Sequence, residues 1–437
     1  MEGAGPAGAP ARGRLAVHYP LLLITAVYVS NYVDRQILAI LIPRIKADLQ
    51  LSDGQIGLLG GFAFAIFYAT LGLPIARLAD RANRRNILAV ATGVWSAFTA
   101  ICGMAQNYLH LLLARMCVGI GEAGGGPASM SMISDLYPPE RRATALAFYS
   151  LAVPVGSVIG FLVGAWVATH YGWRAAFLTV GLPGLLLALL VRATLKEPAR
   201  QGQAAAAPAP RFGETLAFLW SQHSYRWLVA GIATNAFVGS GVLVWLGALL
   251  MRTHGLSLIQ TGTTLALIVG PIGAIGTLAG GWLSDRFAAR TPAASLYVMA
   301  AGITISIPIS IILFLTQSPA LAFGALALWM LFGSLWMGPA FALGQSLARS
   351  RMRALSAAVI AFLINLIGYG FGPLAVGLLS DALTPGFGAQ ALGVALAATM
   401  TLNLLTALFF LQARKTLARD LARARDEARL DFRASSH

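Results

Sequence analysis

Residues 51–81 read LSDGQIGLLGGFAFAIFYATLGLPIARLADR, and residues 256–286 read LSLIQTGTTLALIVGPIGAIGTLAGGWLSDR. Leu51-Ser52, Gln55, Gly57 and Asp80-Arg81 of the first stretch return as Leu256-Ser257, Gln260, Gly262 and Asp285-Arg286 of the second, each displaced by 205 positions. Further along, Gly126-Pro127-Ala128 returns as Gly338-Pro339-Ala340. Arg141, Gly156 and Gly160 return as Arg353, Gly368 and Gly372, all displaced by 212. One such match is chance; several in register mark a duplicated unit. Each copy contains apolar runs long enough to cross a bilayer, so the repeated unit is a bundle of membrane spans, and two such bundles face each other across a central site.

Apolar runs bounded by charge or turn signals fall at roughly 16–41, 54–78, 86–106, 108–132, 143–168, 174–195, 226–251, 259–283, 293–316, 320–347, 355–379 and 389–412. There are twelve. Composition agrees: 57% of the 437 residues are hydrophobic and 11% charged, against about a quarter charged in soluble domains. So little charge cannot cover a soluble globule of this size. The expected fold is an all-α polytopic membrane protein, with twelve transmembrane helices in two pseudo-symmetric six-helix bundles. A disordered tail at 1–15 precedes the first bundle at 16–196, a cytoplasmic linker at 197–225 carries the Gln/Ala/Pro-rich run, and the second bundle occupies 226–412. Residues 413–437 alternate charge at helical spacing and read as a basic cytoplasmic tail helix, not a thirteenth span. The first apolar run continues far past signal-peptide length with no small-residue cleavage site.

The net charge of +15 does not point to nucleic acid, because the basic residues sit in short clusters between spans. With the N-terminus inside, 25 of the 31 Lys and Arg fall on inner segments, and only Arg44, Lys46, Arg174 and Arg252 on outer ones. The positive-inside rule then places both termini in the cytoplasm of a bacterial-type inner membrane. Cys102 and Cys117 both lie in apolar runs and give neither a disulfide framework nor a metal site.

Two basic residues, Arg35 and Arg115, belong to neither set; they lie within the first and fourth spans, as do Asp34 and Glu122. An ionisable group at membrane depth is costly unless it is paired or faces a wet cavity. One reading is a structural ion pair that locks the first span to the fourth. The other is a polar cavity for an anionic substrate, lined by carboxylates that carry protons. Spacing favours the second: Arg115 and Glu122 lie two helical turns apart on one face, and Asn31, Asp34 and Arg35 share a face at i, i+3 and i+4. Arginine keeps its charge and its planar fork suits carboxylate or phosphate, so Arg35 and Arg115 are the expected substrate hooks. Asp34 and Glu122 are the expected proton-coupling groups.

The second half offers no charge at depth, only amide and aromatic groups. Of these Trp245, Asn365 and Tyr369, together with Asn31, are expected to complete the substrate site. Polar on one side and apolar on the other, such a cavity suits an amphipath with a charged head. At the cytoplasmic span edges, Asp80, Arg81, Arg84 and Arg85, with their counterparts Asp285 and Arg286, are expected to form an inner gate latch. Glu197-Pro198 reads as the end of the sixth span. No Ser/His/Asp set, Walker loop or metal-ligand spacing occurs, so neither an enzyme nor a cofactor or metal site is expected, and active transport would draw on an ion gradient. The expected partners are a small amphipathic or anionic substrate, protons and membrane lipids, acting on a monomer.

The edge sequence LADRANRRN (78–86) resembles the loop motif of the major facilitator superfamily, and Arg115 with Gly119 and Gly121 resembles its fourth-helix motif. NYVDRQ (31–36), RMCVGIGEAGGGPAS (115–129), VPVGS (153–157) and LKEPAR (195–200) together resemble the Spinster branch. Asn83 stands where the general pattern has glycine, as Spinster-like proteins usually show; Ala76 and Phe161 depart from a usual glycine and proline. The resemblance implies a proton-linked carrier of amphipathic lipids, lysophospholipid or sphingosine-phosphate-like, with substrate near Arg35 and Arg115 and protons on Asp34 and Glu122. An organic-anion:proton symporter of the same superfamily is the alternative.

Overall fold

The computed structural model describes residues 14–199 and 212–435 apart from 289, 292, 350 and 351. Among them, eight helical stretches are long and apolar enough to cross a membrane. Two of these, Thr144–Thr194 and Leu355–Ala424, hold two crossings each; Gly172, at φ 83°, turns the chain between the first pair. Span 1 (Arg14–Leu49) and the broken span 4 (Tyr108–Glu122 and Gly125–Leu136) bring the crossings to twelve. The architecture is two six-helix halves.

The repeated sequence has a physical reason in each half. Ser52 accepts from the Gln55 amide at 3.1 Å while the Gln55 side chain accepts from the Ser52 amide at 2.9 Å. Ser257 and Gln260 do the same at 3.2 and 2.9 Å. These two capping boxes start span 2 and span 8 (Leu258–Ala288), satisfying amides that the first helical turn would leave unpaired. One turn on, Gly57 and Gly262 lie where span 2 meets span 11 and span 8 meets span 5. A Cβ at Gly57 would sit 2.5 Å from the Pro373 oxygen, and one at Gly262 2.7 Å from that of Phe161. The other echo works inside each half: Gly156 and Gly160 lie against span 1, Gly368 and Gly372 against span 7 (His223–His254).

Span 2 continues from Asp53–Gly57 through a π-helical turn, Leu58–Phe62, into Ala63–Arg81. Span 11 has its own π-helical turn, Ile364–Phe371, between Arg353–Leu363 and Gly372–Phe387. The two turns meet: a Cβ on Gly61 would lie 2.6 Å from the Gly370 oxygen, and the Phe62 and Phe371 rings stand 5.1 Å apart. Residues 1–13 of the expected tail, and 200–211 of the expected linker, lie outside the described residues. The rest of the linker segment includes a helix, Phe212–Ser221, and the tail helix runs on from span 12 as Asn403–Ser435.

Candidate substrate cavity and its buried charges

At the face opposite the chain termini the halves are closed by charge. The Asp53 carboxylate accepts from both terminal nitrogens of Arg252, at 2.7 and 2.8 Å, from the Ser380 hydroxyl at 2.7 Å and from Lys46. The Asp53 and Gly54 amides in turn donate to the Asp381 carboxylate at 2.9 and 2.7 Å. Asp53 and Lys46 come from the first half; Arg252, Ser380 and Asp381 come from the second. A cavity of about 720 Å³ between the halves lies on the terminal side of this seal, reaching down to Met130, Tyr149, Phe341 and Ala357.

Its charged wall is set by close packing. Span 4 fits between spans 2 and 3 because Gly119 faces the Phe64 oxygen and Gly121 the Trp95 amide; a Cβ at either would approach to 2.5 Å. That fixes the depth of Arg115 and Glu122, and the helix breaks immediately after Glu122. Span 1 presents its face of Asn31, Asp34 and Arg35 opposite. The four ions pair crosswise: Arg35 Nε donates to Glu122 Oε2 at 2.8 Å, and Arg115 Nη1 stands 3.7 Å from Asp34 Oδ1. Asp34 also accepts from the Thr99 hydroxyl of span 3. Glu122 Oε1 and the Arg115 Nε and Nη1 groups are buried and have no hydrogen-bond partner among the described residues. The set keeps donor and acceptor capacity in reserve.

The two pairs are not equivalent. Arg35, Glu122 and Asn31 line the cavity, whereas Asp34 lies behind it. Arg115 joins Arg35, Tyr32, Phe64 and Tyr369 around a smaller void of about 50 Å³. Asn365 and Tyr369, on the π turn of span 11, line the cavity from the other half, with the Asn365 amide donating to the Ala361 oxygen at 2.7 Å. Trp245, expected at the site, stands elsewhere. It is fully buried in the seal, where its indole donates to the Pro373 oxygen at 2.9 Å and lies 5.6 Å beneath the Arg252 guanidinium.

The edge residues form a brace within the first half. Arg84, 2% exposed, bonds Asp135 at the end of span 4, Glu197 after span 6 at 2.7 Å, Ser131 and the Pro198 oxygen. The Arg85 amide donates to Glu197 at 2.8 Å, so Glu197 ties two span ends together beyond terminating one. Arg81 and Asp285 are exposed, and Arg286 lies 5.5 Å over the Trp282 ring. The Asp80 side chain lies outside the described residues.

Sequence reasoning missed the aromatic cage. The Arg35 guanidinium stands 5.6, 5.0 and 4.9 Å from the rings of Tyr32, Phe64 and Tyr68, and Tyr28 stacks on Tyr149 at 4.4 Å. Such stacking steadies a desolvated cation. Tyr28, Tyr32 and Arg35 lie at i, i+4 and i+7, a signal that was there to read. Thr99 gave none.

A sequence model of the Major Facilitator Superfamily matches residues 24–373. The chain is 37% identical over 369 residues to an MFS-type efflux pump of Mycolicibacterium smegmatis, covering 84% of this chain and 85% of that protein. It superposes on the crystal structure of a bacterial homolog to the human lysosomal transporter Spinster, inward-facing and unoccupied. The TM-score is 0.87 at 31% identity, with 93% of this chain and 99% of that chain covered. The Spinster homolog 1 of Xenopus tropicalis is 28% identical over 400 residues, 84% of this chain and 74% of that protein. The chain belongs to the major facilitator superfamily of membrane transporters. Within that superfamily it is Spinster-like.

Proposed function

We propose that the protein is a proton-coupled secondary transporter working by alternating access, whose cargo is an amphipathic anionic lipid, a lysophospholipid or a sphingosine-phosphate-like molecule. Taking the basic face as cytoplasmic, with both termini inside, the conformation is inward-facing in the inner membrane. The observation that carries the reading is the asymmetry of the cavity. One wall holds Arg35, Glu122, Asn31 and a cluster of tyrosines; the other is largely Met337, Phe341, Ile364 and alanines, with Asn365 and Tyr369. About 720 Å³ lies within the roughly 300–1,000 Å³ of ligand sites. A phosphate or carboxylate head competes with Glu122 for Arg35, and the released carboxyl takes up a proton. Substrate occupancy and protonation are then linked, and the link is reciprocal. Asp34, held by Thr99 and Arg115 behind the cavity, is the second proton-carrying group.

The test is transport in proteoliposomes of lysophosphatidylglycerol and of lactate, side by side, with and without an imposed pH gradient. Arg35→Ala and Arg115→Ala are expected to abolish binding of the lysolipid. Glu122→Gln and Asp34→Asn are expected to bind it and lose gradient-driven transport. If both acid variants keep full gradient-driven transport, the four ions are a structural brace; if only lactate moves, the cargo is a small organic anion.

A further inference from the structure

Behind Glu122, on the outer surface of the first half, spans 2, 3 and 4 enclose a groove of about 440 Å³. Ile75 and Leu78 form one side, Ile87, Val90 and Val94 the other, and Gly121 and Gly124 the floor. The missing side chain keeps the floor open: a Cβ on Gly124 would meet Ala91 Cβ at 3.1 Å and Ile75 Cγ2 at 3.4 Å. Leu78, Val90 and Ile120 are more than one-third exposed, so the groove opens away from the bundle. Gly121 and Gly124 flank Glu122, which places the groove and the central cavity on opposite sides of the broken backbone of span 4.

We infer that this groove is a binding site for one acyl chain of an anionic phospholipid from the leaflet at the basic face. Length supports that occupant: Asn86 to Val94 covers about 12 Å of helix, close to the roughly 15 Å depth of one leaflet, half of a hydrocarbon core of about 30 Å. Charge supports it too. The polar mouth is Asn83 and Asn86, and Arg77 and Arg81, both exposed, lie in the adjoining turns. The Arg85 guanidinium donates to Asn86 Oδ1 at 3.1 and 3.0 Å, which holds it at the mouth. Arg84 is turned inward onto Asp135 and Glu197, and Asp80 is the acidic residue of the same turn. Arg77, Arg81, Arg84 and Arg85 against Asp80, Asp135 and Glu197 leave one net positive charge at the mouth, carried by arginines that face outward, which favours a phosphate headgroup. The terminal part of the chain then packs against the backbone that carries Glu122.

The experiment uses the full chain reconstituted in an equal mixture of phosphatidylglycerol and phosphatidylcholine, transferred to detergent, with retained lipid identified by native mass spectrometry. The wild-type protein is expected to retain phosphatidylglycerol several-fold over phosphatidylcholine. Val90→Trp and Leu78→Trp, which fill the groove from two different helices, are expected to lower that retention several-fold while leaving the thermal unfolding midpoint in place. The double variant Arg81→Gln/Arg85→Gln is expected to retain lipid but lose the preference for phosphatidylglycerol. Retention of the two lipids in the proportion of the membrane, or undiminished phosphatidylglycerol on both tryptophan variants, would overturn the assignment.

Discussion

The molecule holds two buried charge clusters near opposite faces, one built around Asp53 and one around Arg84, and they differ in what they join. Each centres on one side chain about 2% exposed with two ionic partners among the described residues. Asp53 takes partners from both halves: Lys46 from its own, Arg252 and Ser380 from the other. Arg84 takes Asp135 and Glu197, both from its own half. A charge that bridges halves reports which face is closed; one that stays within a half stiffens a unit that moves as a body. The Asp80–Arg85 motif is expected from sequence to latch the inner face; in this conformation the closed face is the opposite one, at Asp53, and Arg84 bonds within its own half.

The largest expected effect follows from breaking the bridge. Asp53→Asn strips Arg252 and Lys46 of their carboxylate; because these cations are 25% and 32% exposed, the loss falls below the about 3–5 kcal/mol of a fully buried pair. Electron-spin distances between labels at Gln50 and Ala382 are expected to shift from a short to a long population; an unmoved distribution would place closure elsewhere. Arg84→Ala is expected to do the reverse. It leaves Asp135 and Glu197 without their arginine and lowers the midpoint of thermal unfolding by several degrees, with the Gln50–Ala382 distance unchanged.

Smaller effects sharpen the same contrast. Trp245→Phe removes one buried hydrogen bond to Pro373, about 1 kcal/mol, and is expected to populate the long Gln50–Ala382 distance slightly while lysolipid binding stays at its wild-type value. A loss of binding would return Trp245 to the substrate site. The smallest effect lies at the C-terminal tail. Burial works against charge on Asp420, but the Ser224 hydroxyl and amide and the Thr416 hydroxyl hold its carboxyl below the usual carboxylate range. A depressed folded value contributes stability above about pH 4, the unfolded value, that fades as pH falls through the folded one. Amides at the start of span 7 are expected to lose protection, measured against their intrinsic exchange rates, as pH falls below about 4, and Asp420→Asn to lose it at neutral pH.

Much of the fold was legible because bilayer thickness and the positive-inside rule act on each span alone. Twelve runs, a duplication and four ions at depth need only one helix at a time, and Asn31, Arg35, Glu122, Asn365 and Tyr369 line one cavity. The seal was not legible. Asp53 and Asp381 sit at span ends, where a carboxylate is unremarkable, and their partners come from positions about 200 and 330 residues away in the chain. Trp245 was misplaced for a related cause: its spacing gives a face of span 7, but the rotation of that helix against span 11 decides what the face meets. Glu197, beside a proline, read only as a stop.

Where the π turns of spans 2 and 11 meet, Gly61 and Gly370 bring main chain against main chain with hardly a side chain between. Such a contact has no rotamers to reset and needs no unpacking of interlocked knobs. Separating the halves there would leave, beyond the Phe62–Phe371 ring contact, little side-chain packing to rebuild on closing. A joint made of main chain is indifferent to side-chain identity, and under the proposed function discrimination among cargoes would fall to the caged arginine and the tyrosines around it.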